Sequence, residues 1–526
     1  MMELTNDRVK ISRTASNIIS LASSLQLTAE SNNNNVTVGS ISGNTITLNG
    51  GASVGSSTIT VSYGSYTATC LASVVIPPTN LSVADANITF STAYGKIDVI
   101  WLSGTGNTIS STPNAPNLCG MTPVTWTKNG DTWTEDSPEV TATKAKYNYI
   151  AGTGNADNTS SMWANAKNTT SGGNSYFVWI PRYAYRITYY SSRTSTDPTG
   201  FYDGWGQWRA TDGRVRLALD SGIETVEHNG NKYIVHPAFC GTSVGYDNGS
   251  WSSAISGFWV AKYEMSRTGA TSSSAGSGYN TTFLSVPSVQ SARSITIGNM
   301  YNVAKSYDTS KESHLIKNSE WGAVAYLTQS QYGRNGNEID INSSSLYTTG
   351  NGGGTTGVDG HQGTSYSYYK YNTTIGAKAS TTGNIYGVYD MSGGACEYVA
   401  AFNNTDTNSN VSSYGWNGLT TESASDKYAT KYLNTTSNYY GNSIIYSYGK
   451  IGDATKEVNG GGAYSINSTT NCVKWFKDAN SLCSAGYPFC IRSGICYSGV
   501  GAGVFFSNCD KGDQKSENGF RVVLCP

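Results

Sequence analysis

Ten cysteines and four histidines are the side chains of this 526-residue chain best suited to thiol, redox or soft-metal chemistry. A structural zinc site needs thiolates and imidazoles at short, paired spacings, C-x-x-C above all. Cys70, Cys119, Cys240, Cys396, Cys472, Cys483, Cys490, Cys496, Cys509 and Cys525 contain no such pair, and His228, His236, His314 and His361 are scattered. No zinc site is expected, and a chain made in a reducing cytoplasm starts with free thiols. The glycine-rich run from Gly350 to Gly360 lacks the Lys-Ser/Thr of a phosphate loop and reads as a loop. Glu264 and Glu397 stand beside aromatics, a setting for internal hydrogen bonding rather than acid–base catalysis. Catalysis and a resident cofactor are therefore not expected.

The densest chemistry lies at the C-terminus, where six of the ten cysteines fall in the last 55 residues. Arg492, Gly494, Gly499, Gly501, Gly503, Gly519, Phe520 and Arg521 read as a fixed frame, with glycines permitting sharp reversals. Interleaved with it are Ile495, Cys496, Val500, Phe505, Ser507, Cys509 and Asp510, and upstream stand Trp475, Phe476, Tyr487, Phe489, Cys490 and Ile491. Apolar, polar and small side chains are mixed without regular alternation. Such a mixture suits a recognition surface, where aromatics supply contact area at low entropic cost and small polar residues adapt. These thirteen residues are the candidate ligand-binding set.

Positioning them falls to elements of mostly β character. Charged residues are 13% of the chain, with 59 Gly and 37 Tyr, about half the usual charged share. A net charge of −1 argues against nucleic acid as a partner. No apolar run is long enough to insert into a membrane as a helix, and the first residues lack the pattern of a secretory signal. Val36/Val38, Ile46/Leu48 and Ile59/Val61/Tyr63 alternate with polar residues, and Gly64-Ser65 reads as a two-residue hairpin connection. Residues 31–78 are thus expected to form a small β-sandwich, residues 1–30 an attachment segment, and residues 79–174 a connector or small β module. The large domain is expected over 175–526. In it NSEWGAVAYLTQSQY is the best helix, with Ser319 as its cap and Trp321, Val324, Ala325 and Leu327 on its apolar face.

Two resemblances follow from these motifs. The stretch from Asn34 to Val75 resembles bacterial immunoglobulin-like domains of surface and phage proteins. GFWVAKYEMS, NSEWGAVAYL, GNIYGVYDMSGGACEYV, EVNGGGAY, IRSG and NGFRVVL, in that order, resemble the formylglycine-generating-enzyme-like branch of the C-type lectin fold. Their layout is most similar to the variable proteins of diversity-generating retroelements. The resemblance implies an α+β C-type lectin-like C-terminal domain behind an all-β Ig-like sandwich. It also implies a final segment, about 472–513, that is rewritten at adenine-templated codons and forms the ligand-binding face. Asparagine codons altered at adenines yield Tyr, Ser, Cys, Phe, Ile, Val, Gly and Asp, which would account for the cysteines. Formylglycine-generating enzymes carry two copper-binding cysteines after an Arg-Gly-Gly-Ser element. Here Ile466 stands at the first position and Cys472 comes six residues later, which argues against the oxidase alternative. Cys396 replaces a usual tryptophan. Calcium is familiar in that fold, and Glu338, Asp340 and Asn342 offer oxygen ligands at a spacing that is not an EF-hand's.

The function implied is non-enzymatic display. A phage tail or head fibre presents the diversified face to a host-surface protein or glycan, attached to the virion through its N-terminus. Copies on one particle, or a homo-oligomer, would add avidity. A bacterial cell-surface protein is the alternative setting, and a purely structural virion component the alternative role.

Overall fold

The computed structural model describes residues 9–12, 16–20, 28–42, 45–50, 55–63, 66–75, 95–150, 161–190, 198–202, 208–210, 215–217, 224–241, 249–276, 282–353, 369–404, 413–415, 419, 427–433, 449–458, 476 and 478–525. They form two compact units, Met1–Thr89 and Phe90–Pro526. Strands dominate both. Thirty strands stand against three α-helices, α1 (Pro138–Thr143), α2 (Ile297–Ser306) and α3 (Asn318–Gln329), among the described residues. This strand-dominated architecture overturns the α+β C-type lectin-like class expected from the motifs. The motifs named only a few strand-like pieces. They had not specified how little helix would accompany them.

The N-terminal unit has seven strands, β1 (Val9–Ser12), β2 (Ser16–Ser20), β3 (Thr28–Ser31), β4 (Val36–Ser42), β5 (Thr45–Gly50), β6 (Gly55–Tyr63) and β7 (Tyr66–Val75). They make two sheets, ordered β1-β7-β6-β3 and β2-β5-β4. The alternating residues read from the sequence meet between them: Val36, Ile46 and Leu48 from one sheet and Ile59, Val61 and Ala72 from the other. The link at Gly64-Ser65 joins β6 to β7, with Tyr63 paired to Tyr66. One boundary moves. β1 pairs in parallel with β7 and β2 pairs with β5, so these strands, expected within a separate attachment segment over 1–30, belong to the sandwich.

Of the connector expected over 79–174, the described residues 95–150 and 161–174 are part of the large unit. β8 (Gly95–Leu102) runs antiparallel to the strand Tyr183–Tyr190. Thr122–Val124 and Asn165–Thr170 open a six-stranded sheet that continues through Gly173–Pro181, Gly257–Ala261, Val522–Leu524 and His314–Leu315. The chain's last strand thus sits inside that sheet, between segments more than 200 residues upstream. The hairpin read in TWTKNGDTWTED forms, pairing Asn129 with Thr132. The helix read in the sequence also forms, but its cap differs: α3 is capped at Lys317, whose N–H donates to Glu320 Oε2 at 2.8 Å. Its expected apolar stripe is only part of the story, because nearly the whole circumference of α3 is buried, Glu320 and Thr328 included. A helix enclosed on all sides is core, not surface.

Candidate functional site

The C-terminal segment is a hairpin, Phe489–Ser493 against Gly503–Asp510, paired on its other edge to the strand Cys396–Asn403. Its side chains divide between two faces, with a register shift between Arg492 and Ser493. Cys490, Phe505 and Cys509 enter the cluster built around Trp321 and Tyr326. Phe489, Ile491 and Phe506 enter a second cluster with Phe402 and Phe520. The hairpin is therefore covered on both faces, which explains why its sequence shows apolar residues in succession rather than every other position.

That geometry corrects the candidate binding set. Phe476, Phe489, Cys490, Ile491, Cys496, Phe505, Ser507, Cys509 and Asp510 are all buried. Phe505 stacks on Phe476 at 6.0 Å between ring centroids. Ser507 Oγ donates to the Ser481 carbonyl at 2.8 Å, and Asp510 Oδ1 accepts from Tyr398 Oη and from the Gly512 N–H. These groups are packing and turn residues, and a ligand outside the domain does not meet them. Trp475 lies outside the described residues, as does the run from Gly461 to Ile466 and Cys472; Val500 sits in the turn Gly499–Gly501 with its side chain undescribed. Of the thirteen, Tyr487 is exposed (38%) and Ile495 half-buried.

Among the residues read as a frame, Arg492, Phe520 and Arg521 are buried. Arg521 and Glu397 form a doubly bonded buried pair, with Nε to Oε2 at 2.7 Å, and Arg521 also donates to the Ala261 and Tyr389 carbonyls at 3.0 Å. Asp390 accepts from Asn342 Nδ2 and the Gly350 N–H. Glu264 Oε1 accepts from the Ala395 N–H at 2.9 Å, while its Oε2 has no partner. Burial pushes the Glu264, Asp390 and Glu397 carboxyls up, against the pull of the single Arg521 guanidinium. Gly494 turns the chain at φ +74°, where any Cβ would also crowd Ala502. Glu264 and Glu397 thus serve as internal hydrogen-bonding groups that fix the hairpin's base.

What this frame holds outward is aromatic. Tyr497, which the sequence reading passed over, is 41% exposed in the loop that follows Gly494. That loop is closed by the Ser498 N–H to the Ile495 carbonyl and by the Ile495 N–H to Ser498 Oγ. Tyr487 sits in a turn closed on Ser484, with Lys511 Nζ 5.6 Å from its ring centre. A third segment contributes Leu346, 44% exposed, and Tyr347, held at φ +55° with the Arg293 guanidinium 4.2 Å from its ring. A bulky residue in the left-handed region is a costly conformation that the surroundings must enforce. Burial raises the Tyr347 phenol to about 12, with Cys496 and Tyr497 adding to the effect. Nothing in SSSLY signals this placement, because it depends on the Ser291 N–H reaching the Tyr347 carbonyl.

The oxygen ligands read in GNEIDIN have other partners among the described residues. Asn342 is committed to Asp390 and to the Thr348 carbonyl, and Asp340 faces the charges of Arg334 and Lys378. Among the described residues, no three His, Cys, Asp or Glu side chains are grouped to hold a metal ion, and no helix is long and apolar enough to cross a membrane.

No family model matches the chain, and no curated protein matches it. Among solved structures, domains 5–6 of the S-layer protein SbsC are similar at 11% identity, over 49% of this chain and 86% of that one, with a TM-score of 0.13. Domains 4–9 of the S-layer protein SbsC are similar at 12% identity, over 48% and 46%, again with a TM-score of 0.13. At that TM-score neither similarity carries an argument about fold or role.

Proposed function

We propose that the chain is a non-enzymatic binding protein whose C-terminal loops present a diversified ligand face, displayed on a phage virion and directed at a host-surface protein or glycan. The observation that carries this reading is the pairing of a buried frame with outward aromatics. Tyr487 and Tyr497, about two-fifths exposed each, stand on short closed loops at the ends of a hairpin whose own side chains are core. Rigid tyrosines on a fixed scaffold give contact area at low entropic cost, and a few such anchors carry most of the energy of an interface. The frame also tells which codons can vary. Substitution is tolerated at exposed loop positions and not where both faces of a hairpin are packed.

The test is to sequence the codons for residues 472–513, with any neighbouring copy of them, across many particles of one population. Changes at adenine positions of a template repeat, concentrated at Tyr487, Ile495 and Tyr497 with Gly494, Gly503 and Gly519-Phe520-Arg521 constant, are expected. A uniform segment without a template repeat would overturn the diversified face. In binding assays on whole host cells, Tyr487→Ser with Tyr497→Ser is expected to abolish attachment at an unchanged melting temperature; unchanged attachment would remove these loops from the site.

A further inference from the structure

Three of the buried cysteines share one place in the fold. Cys490 and Cys509 are directly opposed partners on the two strands of the C-terminal hairpin, and their side chains, with that of Cys483, enter the same apolar cluster. Directly opposed residues of an antiparallel pair have Cα atoms about 4.5 or 5.5 Å apart, and both spacings lie inside the range a disulfide accepts. The Cys483 thiol is hydrogen-bonded to that of Cys490, so Cys490 stands between two candidate partners. Cys490 and Cys509 are thiols in the structure.

We propose that Cys490 and Cys509 are a disulfide site that locks the hairpin across its strands, with Cys483 as the exchange partner. The oxidant is a disulfide of the surroundings, such as oxidised glutathione or a protein disulfide. Cys509 is the outermost thiol, 8% exposed while Cys483 and Cys490 are fully enclosed, and its thiolate attacks the oxidant, expelling one thiolate and forming a mixed disulfide. The Cys490 thiolate then attacks the Cys509 sulfur and expels the second. Two cysteine protons pass to the two released thiolates, and two electrons pass to the oxidant. Burial holds the Cys509 thiol well above its ordinary range. The folded hairpin therefore reacts slowly near neutral pH and faster in mild alkali, since the thiolate is the reactive species. A closed bridge encircles residues 491–508, including the loop that carries Ile495 and Tyr497, and so fixes that loop whatever it binds.

The experiment uses the full chain, incubated with oxidised glutathione at mildly alkaline pH, and in parallel refolded from denaturant in the same buffer so that access is not limiting. Samples are then denatured, alkylated and digested with trypsin, which places Cys483 and Cys490 in Asp478–Arg492 and Cys496 and Cys509 in Ser493–Lys511. Exposed Cys119 reports that the oxidant is active by taking up a glutathione adduct. The expected result is a dithiothreitol-sensitive link between the two peptides, placed at Cys490 and Cys509 by fragmentation, with the loss of two alkylatable thiols. In Cys509→Ala the bridge is expected to move inside Asp478–Arg492, joining Cys483 to Cys490. Full alkylation of both peptides after refolding would overturn the site. So would a link through Cys496, or a Cys483–Cys490 bridge in the unsubstituted chain.

Discussion

Phe505 shows what a side chain's surroundings decide. Phe505 packs on Phe476 and Tyr326, so Phe505→Ala removes a filled volume that the closed core cannot collapse to fill. A loss of about 3–5 kcal/mol is expected in urea unfolding, and a loss below about 1 kcal/mol would place Phe505 at the surface after all. A second residue-scale prediction concerns pH. Burial raises the Glu457 carboxyl to about 7, although it accepts from Tyr185 Oη, Tyr326 Oη and the Gly452 N–H. Burial also lowers neighbouring His236 to about 3. A raised carboxyl contributes stability that is present below its ordinary value of 4.5 and lost as pH rises through 7. A depressed histidine contributes stability that is present above 6.5 and lost as pH falls towards 3. Between those ordinary values the two slopes oppose, each at most about 1.4 kcal/mol per pH unit. Glu457→Gln is therefore expected to gain stability relative to the parent steadily from pH 4.5 to 7, measured as urea midpoints; a pH-independent difference would mean Glu457 is ionised throughout.

At the scale of elements, the hairpin is shaped by what lies behind its strands. Gly503 has no Cβ because one would stand 2.1 Å from the Asp478 carboxylate, which accepts the Phe505 N–H at 2.9 Å. Two residues earlier, a Cβ on Gly501 would meet nothing within 4 Å. Gly503→Ala is expected to cost about 1–3 kcal/mol through overpacking, and Gly501→Ala to stay within about 0.5 kcal/mol of the parent. Equal effects at the two positions would show that chain entropy, not the carboxylate, governs this turn. The helix α3 carries the same lesson. Its N-terminus was legible as a polar residue before an apolar run, yet the cap is Lys317 because Glu320 reaches back to that N–H while also bonding His314 Nε2 at 3.0 Å. The Glu320 contact to the Lys317 N–H is the capping-box half that a glutamate three residues after the cap supplies, so the local mark was the glutamate rather than the cap residue itself.

The whole molecule divides into the units Met1–Thr89 and Phe90–Pro526, each with its own apolar core. Two calorimetric transitions are expected for the full chain, and a chain of residues 90–526 should keep the one belonging to the large unit. A single transition that shifts on truncation would show one cooperative body. The sequence by itself determined the β character, the N-terminal sandwich with its Gly64-Ser65 hairpin, helix α3 and the frame of Arg492, Gly494, Phe520 and Arg521. Each rests on a local pattern: a period of two, a turn dipeptide, an apolar run behind a cap. Only the tertiary structure decided that Val9–Ser12 and Ser16–Ser20 join the sandwich, that the described residues from 95 to 174 join the large unit, that helix stays a minor component, and that Phe489, Cys490, Ile491, Phe505 and Cys509 are core. The physical reason is that alternation assigns side chains to the two faces of a strand but says nothing of what covers each face. Here Trp321 and Tyr326, from far upstream, cover one face, and Phe402 and Phe520 cover the other. A hairpin enclosed between them carries the same mixed apolar sequence as an exposed recognition loop.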